Sequence, residues 1–135
     1  MKALCKLNFD CGRQGSLEGI FIADTEDVKF LIENKVSVYF GEVLGKHSEI
    51  YGNVEPHELE VITTEANVVD IVEKYGLATG YNPFEYNLCA DGMEDVPENG
   101  IDWNDCTVQE YIDFMRKGIV PEYYKEEYEK WLNEE

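Results

Sequence analysis

Positive charge is scarce in this sequence: 11 Lys and Arg stand against 29 Asp and Glu, for a formal net charge of −18. The shortage is greatest near the C-terminus, where residues 91–135 hold 14 acidic side chains and 4 basic ones. Proteins gain affinity for nucleic acids by neutralising phosphates with Lys and Arg. The composition therefore argues against direct nucleic-acid binding and favours a basic partner, whose approach the negative charge accelerates at low salt.

Long apolar runs and paired cysteines are missing too. No stretch of about 18 apolar residues predicts a membrane span, and no apolar signal-peptide core follows Met1. The 4 cysteines include no C-x-x-C pair, so the sequence disfavours a zinc site and fits a compartment that keeps thiols reduced. We therefore expect a cytoplasmic protein without a metal or a cofactor.

Catalytic signatures are also absent from the sequence. His47 and Ser48 are neighbours, and neighbouring side chains of a strand point to opposite faces, so a nucleophile–base pair is not expected. Two alternatives stay open: a hydrolase in which His47 works with Glu42 or Glu49, and a divalent metal held by His47 and His57. The prediction is a protein that is not an enzyme, with no catalytic residue and no metal ligand.

What the sequence does contain is a folding pattern, with 44% apolar and 13% aromatic residues. Alternating apolar residues and turn signals predict strands, and capped amphipathic runs predict helices. The predicted strands are 3–11, 17–23, 36–44, 49–54 and 59–63, and the predicted helices are 24–34 and 65–75. The order ββαβββα indicates an α+β fold, with an antiparallel or mixed sheet and helices on one face.

The pattern changes after this predicted core of residues 1–87. Residues 88–106 hold six acidic side chains without periodicity and predict an acidic loop. A capping-box sequence at Thr107 predicts the start of an amphipathic helix, and Pro121 is predicted at the first position of a second one. We expect these two helices, within residues 107–135, to form a C-terminal extension that packs on the same domain.

The acidic C-terminal part of the chain is the predicted partner-binding surface. Carboxylates spaced along a loop and two helices imitate a row of phosphates, and tyrosines supply short-range contact energy at interfaces. The predicted contact residues are Glu94, Asp95, Glu98, Asp102, Asp105, Glu110, Asp113, Glu122, Glu126, Tyr124 and Tyr128.

A second set of candidate residues lies in the turns of the predicted core, because loops on a rigid scaffold often carry function. These candidate ligand or contact residues are Arg13, Glu42, Lys46, His47, Ser48, Glu49, Tyr81, Asn82 and Phe84. They are equally consistent with polar turns, and with rings that cover the edge of the core. A further alternative is an oligomeric protein that stacks these aromatic rings on a small nucleotide and sequesters it.

Three segments resemble a known group of proteins: FDCGR at 9–13, YFGEVLGKHSE at 39–49 and GYNPF at 80–84. They are similar to small proteins of phages and mobile elements in gut bacteria, which include type II-A anti-CRISPR inhibitors of the Cas9 nuclease. The resemblance covers residues 4–86 and leaves out the most acidic part of the chain. It implies a non-enzymatic counter-defence protein in the cytosol of a host bacterium, and we expect a basic effector such as Cas9 as partner.

Overall fold

The computed structural model describes residues 1–45 and 48–134 of the chain. Within these residues, strands form two antiparallel sheets with helices packed against them. The strands and helices are β1 (Lys2–Asp10), β2 (Ser16–Asp24), α1 (Thr25–Glu33), β3 (Ser37–Gly41), β4 (Ile50–Asn53), β5 (Leu59–Thr63), α2 (Ala66–Tyr75), β6 (Thr79–Gly80), β7 (Asn87–Leu88), α3 (Val108–Lys117) and α4 (Lys125–Asn133).

The hairpin of β1 and β2 is the centre of the first sheet. The two strands pair along their whole length, and the turn between them places Gly12 and Gly15 at positive φ, which glycine adopts without steric cost. The strand order is β5-β1-β2-β6, and the second sheet has the order β4-β3-β7. The α+β class, the antiparallel pairing and the predicted element order are confirmed. The strands form two sheets, because β3 pairs with β4 and β7 and with no strand of the first sheet among the described residues.

Alternate residues of the first hairpin point into the main core. Ala3, Cys5 and Leu7 of β1 are fully buried, as expected from the period of two in this strand. Val28 and Leu31 of α1 pack in the same cluster. Burial of each large aliphatic side chain contributes about 1.5–3 kcal/mol to folding, so α1 and the inner face of the sheet hold each other in place.

Helix α2 packs on the opposite face of the first sheet. Its buried residues Val69 and Val72 lie outside the main core, and Glu73 Oε2 is 2.9 Å from the Nζ of Lys2. Lys2 alternates with the inward-facing Ala3 along β1, so α2 lies on the outer side. This arrangement differs from the expected placement of helices on one face. The physical reason is that both faces of the hairpin carry apolar residues, and the outer ones are Leu4, Ile20 and Ile22.

The acidic segment 88–106 follows an irregular path, yet it contributes to the main core. Leu88, Ile101, Trp103 and Cys106 are buried there. Two backbone hydrogen bonds fix its ends: Leu88 N donates to Cys106 O at 2.9 Å, and Val108 N donates to Tyr86 O at 2.8 Å. The segment is therefore a packed part of the domain that exposes its charged side chains.

Helices α3 and α4 are joined by a sharp reversal of the chain. Gly118 ends α3 in the left-handed conformation, with φ of 70°. Pro121 was predicted as the first residue of α4, but it precedes a short 3-10 turn at Glu122–Tyr124, and α4 begins at Lys125. The rings of Phe114 and Tyr128 pack edge to face at 5.8 Å and hold α4 against α3.

The two edges of the first sheet are short or irregular. At the β5 edge, Leu4 pairs with Thr63 and Cys5 pairs with Val61, so Ile62 is an extra residue in a bulge. At the other edge, β6 has two residues. Among the described residues, no helix combines the length and the apolar character needed to cross a membrane.

Candidate functional site: the acidic surface of the C-terminal helices

A groove of about 690 Å³ lies between α3 and α4, here called the α3–α4 groove. Its apolar lining includes Ile119 and Leu132, whose side chains are 53% and 50% exposed. Val120 and Tyr128 are half-buried beside them. The connection after Gly118 returns the chain to the start of α3, where Tyr123 binds Glu110, and the groove lies between this connection and α4. It is an apolar surface that no described part of the chain covers.

The rim of the α3–α4 groove is acidic. The carboxylates of Glu110, Asp113, Glu122 and Glu129 line it, and Lys125 is the only cation among the described lining residues. Lys125 Nζ lies 2.8 Å from Glu122 Oε2, and this hydrogen bond raises the pKa of Lys125. Ion pairs between exposed side chains contribute little to stability, because water and salt screen them. A basic partner can therefore displace Lys125 from Glu122 at little cost.

Two predicted contact carboxylates also stabilise the reversal itself. Tyr124 donates its hydroxyl hydrogen to Asp105 Oδ2 at 3.0 Å, and Tyr123 donates to Glu110 Oε1 at 2.7 Å. Glu110 also accepts the backbone N–H of Thr107 at 2.9 Å, which completes the predicted capping box. Desolvation and the bond to Asp105 raise the pKa of Tyr124 to about 12, so it stays a donor. Asp105, Glu110 and Tyr124 are thus engaged within the chain.

The other helical carboxylates of the predicted set have weaker internal contacts. Asp113 Oδ1 accepts a hydrogen bond from Gln109 at 2.9 Å. Glu126 Oε1 lies 3.7 Å from Lys130 Nζ one turn further along α4. Both are pairs of neighbours on one helix, which stabilise a helix by about 0.2–0.5 kcal/mol. These carboxylates keep most of their negative charge available to a partner.

The loop carboxylates of the predicted set are separate from the α3–α4 groove. Glu94 and Asp95 are exposed and line another groove, of about 550 Å³, together with Tyr51. Glu98 and Asp102 line a cleft beside Trp131 of α4. Within the described part of the chain, Glu94, Asp95 and Glu98 have no hydrogen-bond or ion-pair partner, whereas Asp102 accepts from Asn104 N at 3.2 Å. The structure thus divides the predicted surface into three neighbouring patches.

One of the few cations near this surface is already paired. Arg116 of α3 binds the buried carboxylate of Asp27 in α1, and Gln109 donates to the same carboxylate at 3.0 Å. The Asp27 side chain is 6% exposed, so this contact is a structural link between α1 and α3. It removes Arg116 as a partner for an external anion and leaves the surface more uniformly negative.

The second candidate set is dispersed in the structure. Arg13 lies at the β1–β2 turn, and Glu42 and Ser48 lie near the ends of β3 and β4. Lys46 and His47 lie outside the described residues. Glu49 accepts the hydroxyl of Tyr39 at 3.0 Å, a bond that raises the pKa of Tyr39. Glu49 is the only described member of the set that lines the adjacent cleft of about 650 Å³.

The aromatic turn at 80–86 serves mainly to complete the core. Phe84 is 3% exposed and packs on Phe21 at 6.1 Å, so its ring is not available to a ligand. Asn82 caps the turn by accepting the N–H of Phe84 at 3.0 Å. Tyr81 is half-buried, with its ring 6.4 Å from that of Phe40. The packing corresponds to the alternative in which these rings cover the edge of the core.

Sequence reasoning missed two residues of the α3–α4 groove. Ile119 and Val120 lie between the two predicted helices, and neither was assigned to an element or to a site. No periodic pattern marks them, because they belong to neither helix. The position of Ile119 depends on how the chain reverses, which the local pattern does not specify.

Among the described residues, no group of three His, Cys, Asp and Glu side chains is arranged to hold a metal ion. Comparisons of the chain with protein-family models, with curated proteins and with solved structures gave no match. The charge and geometry of the chain's own residues are therefore the basis for a functional proposal.

Proposed function

We propose that this chain is a non-enzymatic binding protein whose acidic C-terminal surface attaches to a basic protein. The observation that carries the proposal is the set of exposed carboxylates on 94–129, of which Glu94, Asp95 and Glu98 have no partner among the described residues. Unpaired carboxylates at the surface produce a long-range negative potential, which speeds the approach of a positively charged protein.

The negative charge of this surface resembles that of a nucleic acid, and this resemblance indicates the class of partner. Proteins that bind nucleic acids present basic grooves to rows of phosphates. Carboxylates spread over a loop and two helices offer such a groove the same sign of charge. Together with the resemblance of residues 4–86 to phage and mobile-element proteins, this favours a counter-defence inhibitor that acts in a bacterial cytosol. The proposed target is a nucleic-acid-directed effector such as Cas9.

Inhibition of a guide-loaded Cas9 tests this proposal directly. Cleavage of a target DNA should stop when the purified chain reaches about the concentration of the nuclease, because a binding inhibitor acts by stoichiometry. Raising the salt concentration should weaken the inhibition, since screening shortens the range of the attraction. Full cleavage in the presence of excess chain at low salt would remove Cas9 as the partner.

Charge variants with a matched control locate the contact. The triple variant Glu94→Gln, Asp95→Asn and Glu98→Gln should lower the association rate about tenfold at low salt. The control Glu60→Gln, Glu65→Gln and Asp70→Asn removes the same number of exposed charges near β5 and α2. Equal effects of the two variants would mean that only net charge matters and that the C-terminal surface is not the contact.

The nucleotide-binding alternative receives little support from the charges of the cleft that Glu49 lines. The cleft next to Tyr39 includes Glu49 and Asp91 and no Lys or Arg among its described lining residues. Phosphate groups require cationic or N–H donors and are repelled by carboxylates. The hydrolase alternative depends on His47, which lies outside the described residues, so it gains no geometric support.

A further inference from the structure

We propose that the α3–α4 groove binds a basic segment of the partner that inserts one or two large apolar side chains between the helices. This inference rests on the proposed function and specifies the chemistry of the partner at one part of the acidic surface. It assigns a role to Ile119, Val120 and Leu132, which attraction between charges alone leaves unexplained.

The exposed apolar lining of the groove favours binding of an apolar side chain. Ile119 and Leu132 both line the groove and are each about half exposed, so both remain in contact with water in the free chain. Transfer of apolar surface out of water contributes about 25 cal/mol per Å². A volume of about 690 Å³ exceeds that of a single aliphatic side chain, so the groove accommodates more than one.

The acidic rim decides which apolar segment is accepted. Glu110, Asp113, Glu122 and Glu129 surround the apolar lining, and Lys125 offsets one of these charges. An apolar segment flanked by acidic residues would be repelled, whereas one flanked by Lys or Arg gains both contacts. The occupant therefore combines apolar anchors with cations on either side, as in a basic amphipathic segment.

The walls of the groove are fixed before binding. The capping box at Thr107 and the hydrogen bond from Tyr123 to Glu110 hold the start of α3 against the reversal. The edge-to-face contact of Phe114 with Tyr128 holds α4 against α3. A preformed groove loses little conformational entropy when a ligand enters, so apolar contacts translate more fully into affinity.

Synthetic peptides provide defined probes for this inference. The first is a lysine-rich amphipathic peptide with leucines on one face, the second has serines in place of those leucines, and the third is oligolysine. Fluorescence anisotropy at low and physiological salt should show the leucine peptide binding about tenfold more tightly than the serine peptide. At physiological salt the difference should persist, because apolar contacts are not screened.

Variants of the chain separate the groove from the rest of the surface. Ile119→Ser and, independently, Leu132→Ser should each weaken the leucine peptide about tenfold and leave oligolysine binding unchanged. Leu77→Ser is the matched control, since Leu77 is 54% exposed and lies outside the groove. Circular dichroism of each variant confirms that the fold is retained.

The outcomes distinguish this inference from the proposed function. If the leucine and serine peptides bind equally, or if both groove variants bind like the Leu77 control, the inference is overturned. Inhibition of Cas9 by charge would then still be possible and is measured independently. If the chain inhibits Cas9 and the groove variants inhibit less, while Leu77→Ser inhibits normally, both proposals are supported.

Discussion

Two surfaces of this molecule expose apolar side chains to nearly the same extent, but their charges differ. The outer side of α2 presents Val68, Ile71 and Tyr75, and none of the residues on this helix face is acidic. The α3–α4 groove exposes Ile119 and Leu132 within a ring of carboxylates. Apolar exposure by itself therefore does not select a partner. In the proposed docking, the carboxylates beside the groove are what favour a basic segment, and the α2 face has no such carboxylates among its exposed apolar residues.

The two regions also differ in how they are attached to the fold. Helix α2 contributes two buried valines on the outer face of the first sheet. The segment before α3 and α3 itself contribute Trp103, Tyr111 and Ile112 to the main core. The acidic C-terminal surface is thus part of the central packing, and disruption of that packing should destabilise the whole domain more than disruption at α2.

The largest predicted effect is the loss of the buried indole of Trp103. This side chain is 2% exposed and packs on Tyr111 at 5.3 Å and on Phe114 at 5.2 Å. Trp103→Ala should lower the free energy of unfolding by about 4 kcal/mol, because a large cavity replaces these contacts. Val69→Ala on α2 should cost about 2 kcal/mol. Urea unfolding measures both, and equal losses would contradict the proposed difference between the regions.

The two ion pairs that link distant elements should differ less in their contribution to the free energy of unfolding. Asp27→Asn removes the buried carboxylate that binds Arg116, whose side chain is 25% exposed, and should cost about 2 kcal/mol. Glu73→Gln removes the exposed pair with Lys2 in the α2 region and should cost about 0.5 kcal/mol. Thermal unfolding of the two variants gives the comparison. A Glu73 variant as unstable as the Asp27 variant would show that exposure does not determine the strength of these pairs.

The smallest predicted difference concerns alkaline pH, where one buried thiol in each region should respond alike. Burial raises the pKa of Cys5 in the first sheet and of Cys106 before α3 from 9.0 to about 11. The unfolded chain loses these protons first, so stability is unaffected below pH 9 and falls between pH 9 and pH 11. Each thiol should account for about 2 kcal/mol of the loss by pH 11.

Urea unfolding at a series of alkaline pH values measures how steeply the free energy of unfolding falls with pH. Cys5→Ala and Cys106→Ala lower the stability at neutral pH, and each should remove its own share of the pH dependence. A slope unchanged in both variants would mean that other groups, such as the tyrosines, cause the alkaline loss.

The sequence predicted local structure well where a pattern of residues is compatible with only one local conformation. Glycines in the turn after Asp10 and alternating apolar residues on both sides specify the first hairpin, and Thr107 with Glu110 specifies the start of α3. The second sheet was not predictable, because β7 has two residues and its pairing with Val38 and Tyr39 depends on tertiary contacts.

The candidate surface was predictable in composition but not in geometry. Acidic residues such as Glu122 could be identified from the sequence alone, since charge is a property of composition. That Asp105 is bonded to Tyr124, whereas Glu98 has no described partner, depends on the reversal between α3 and α4. The burial of Ile101 and Trp103 within an acidic segment likewise follows from the three-dimensional path of the chain.

The irregular edges of the first sheet bear on how much of this protein a cell can hold. A binding inhibitor must accumulate to at least the concentration of its target, and crowded sheets with open edges tend to join edge to edge. The bulge at Ile62 and the two-residue strand β6 leave little regular edge for a second molecule to extend. Under the proposed function, which acts by stoichiometry, such edges allow the chain to accumulate with little edge-to-edge association.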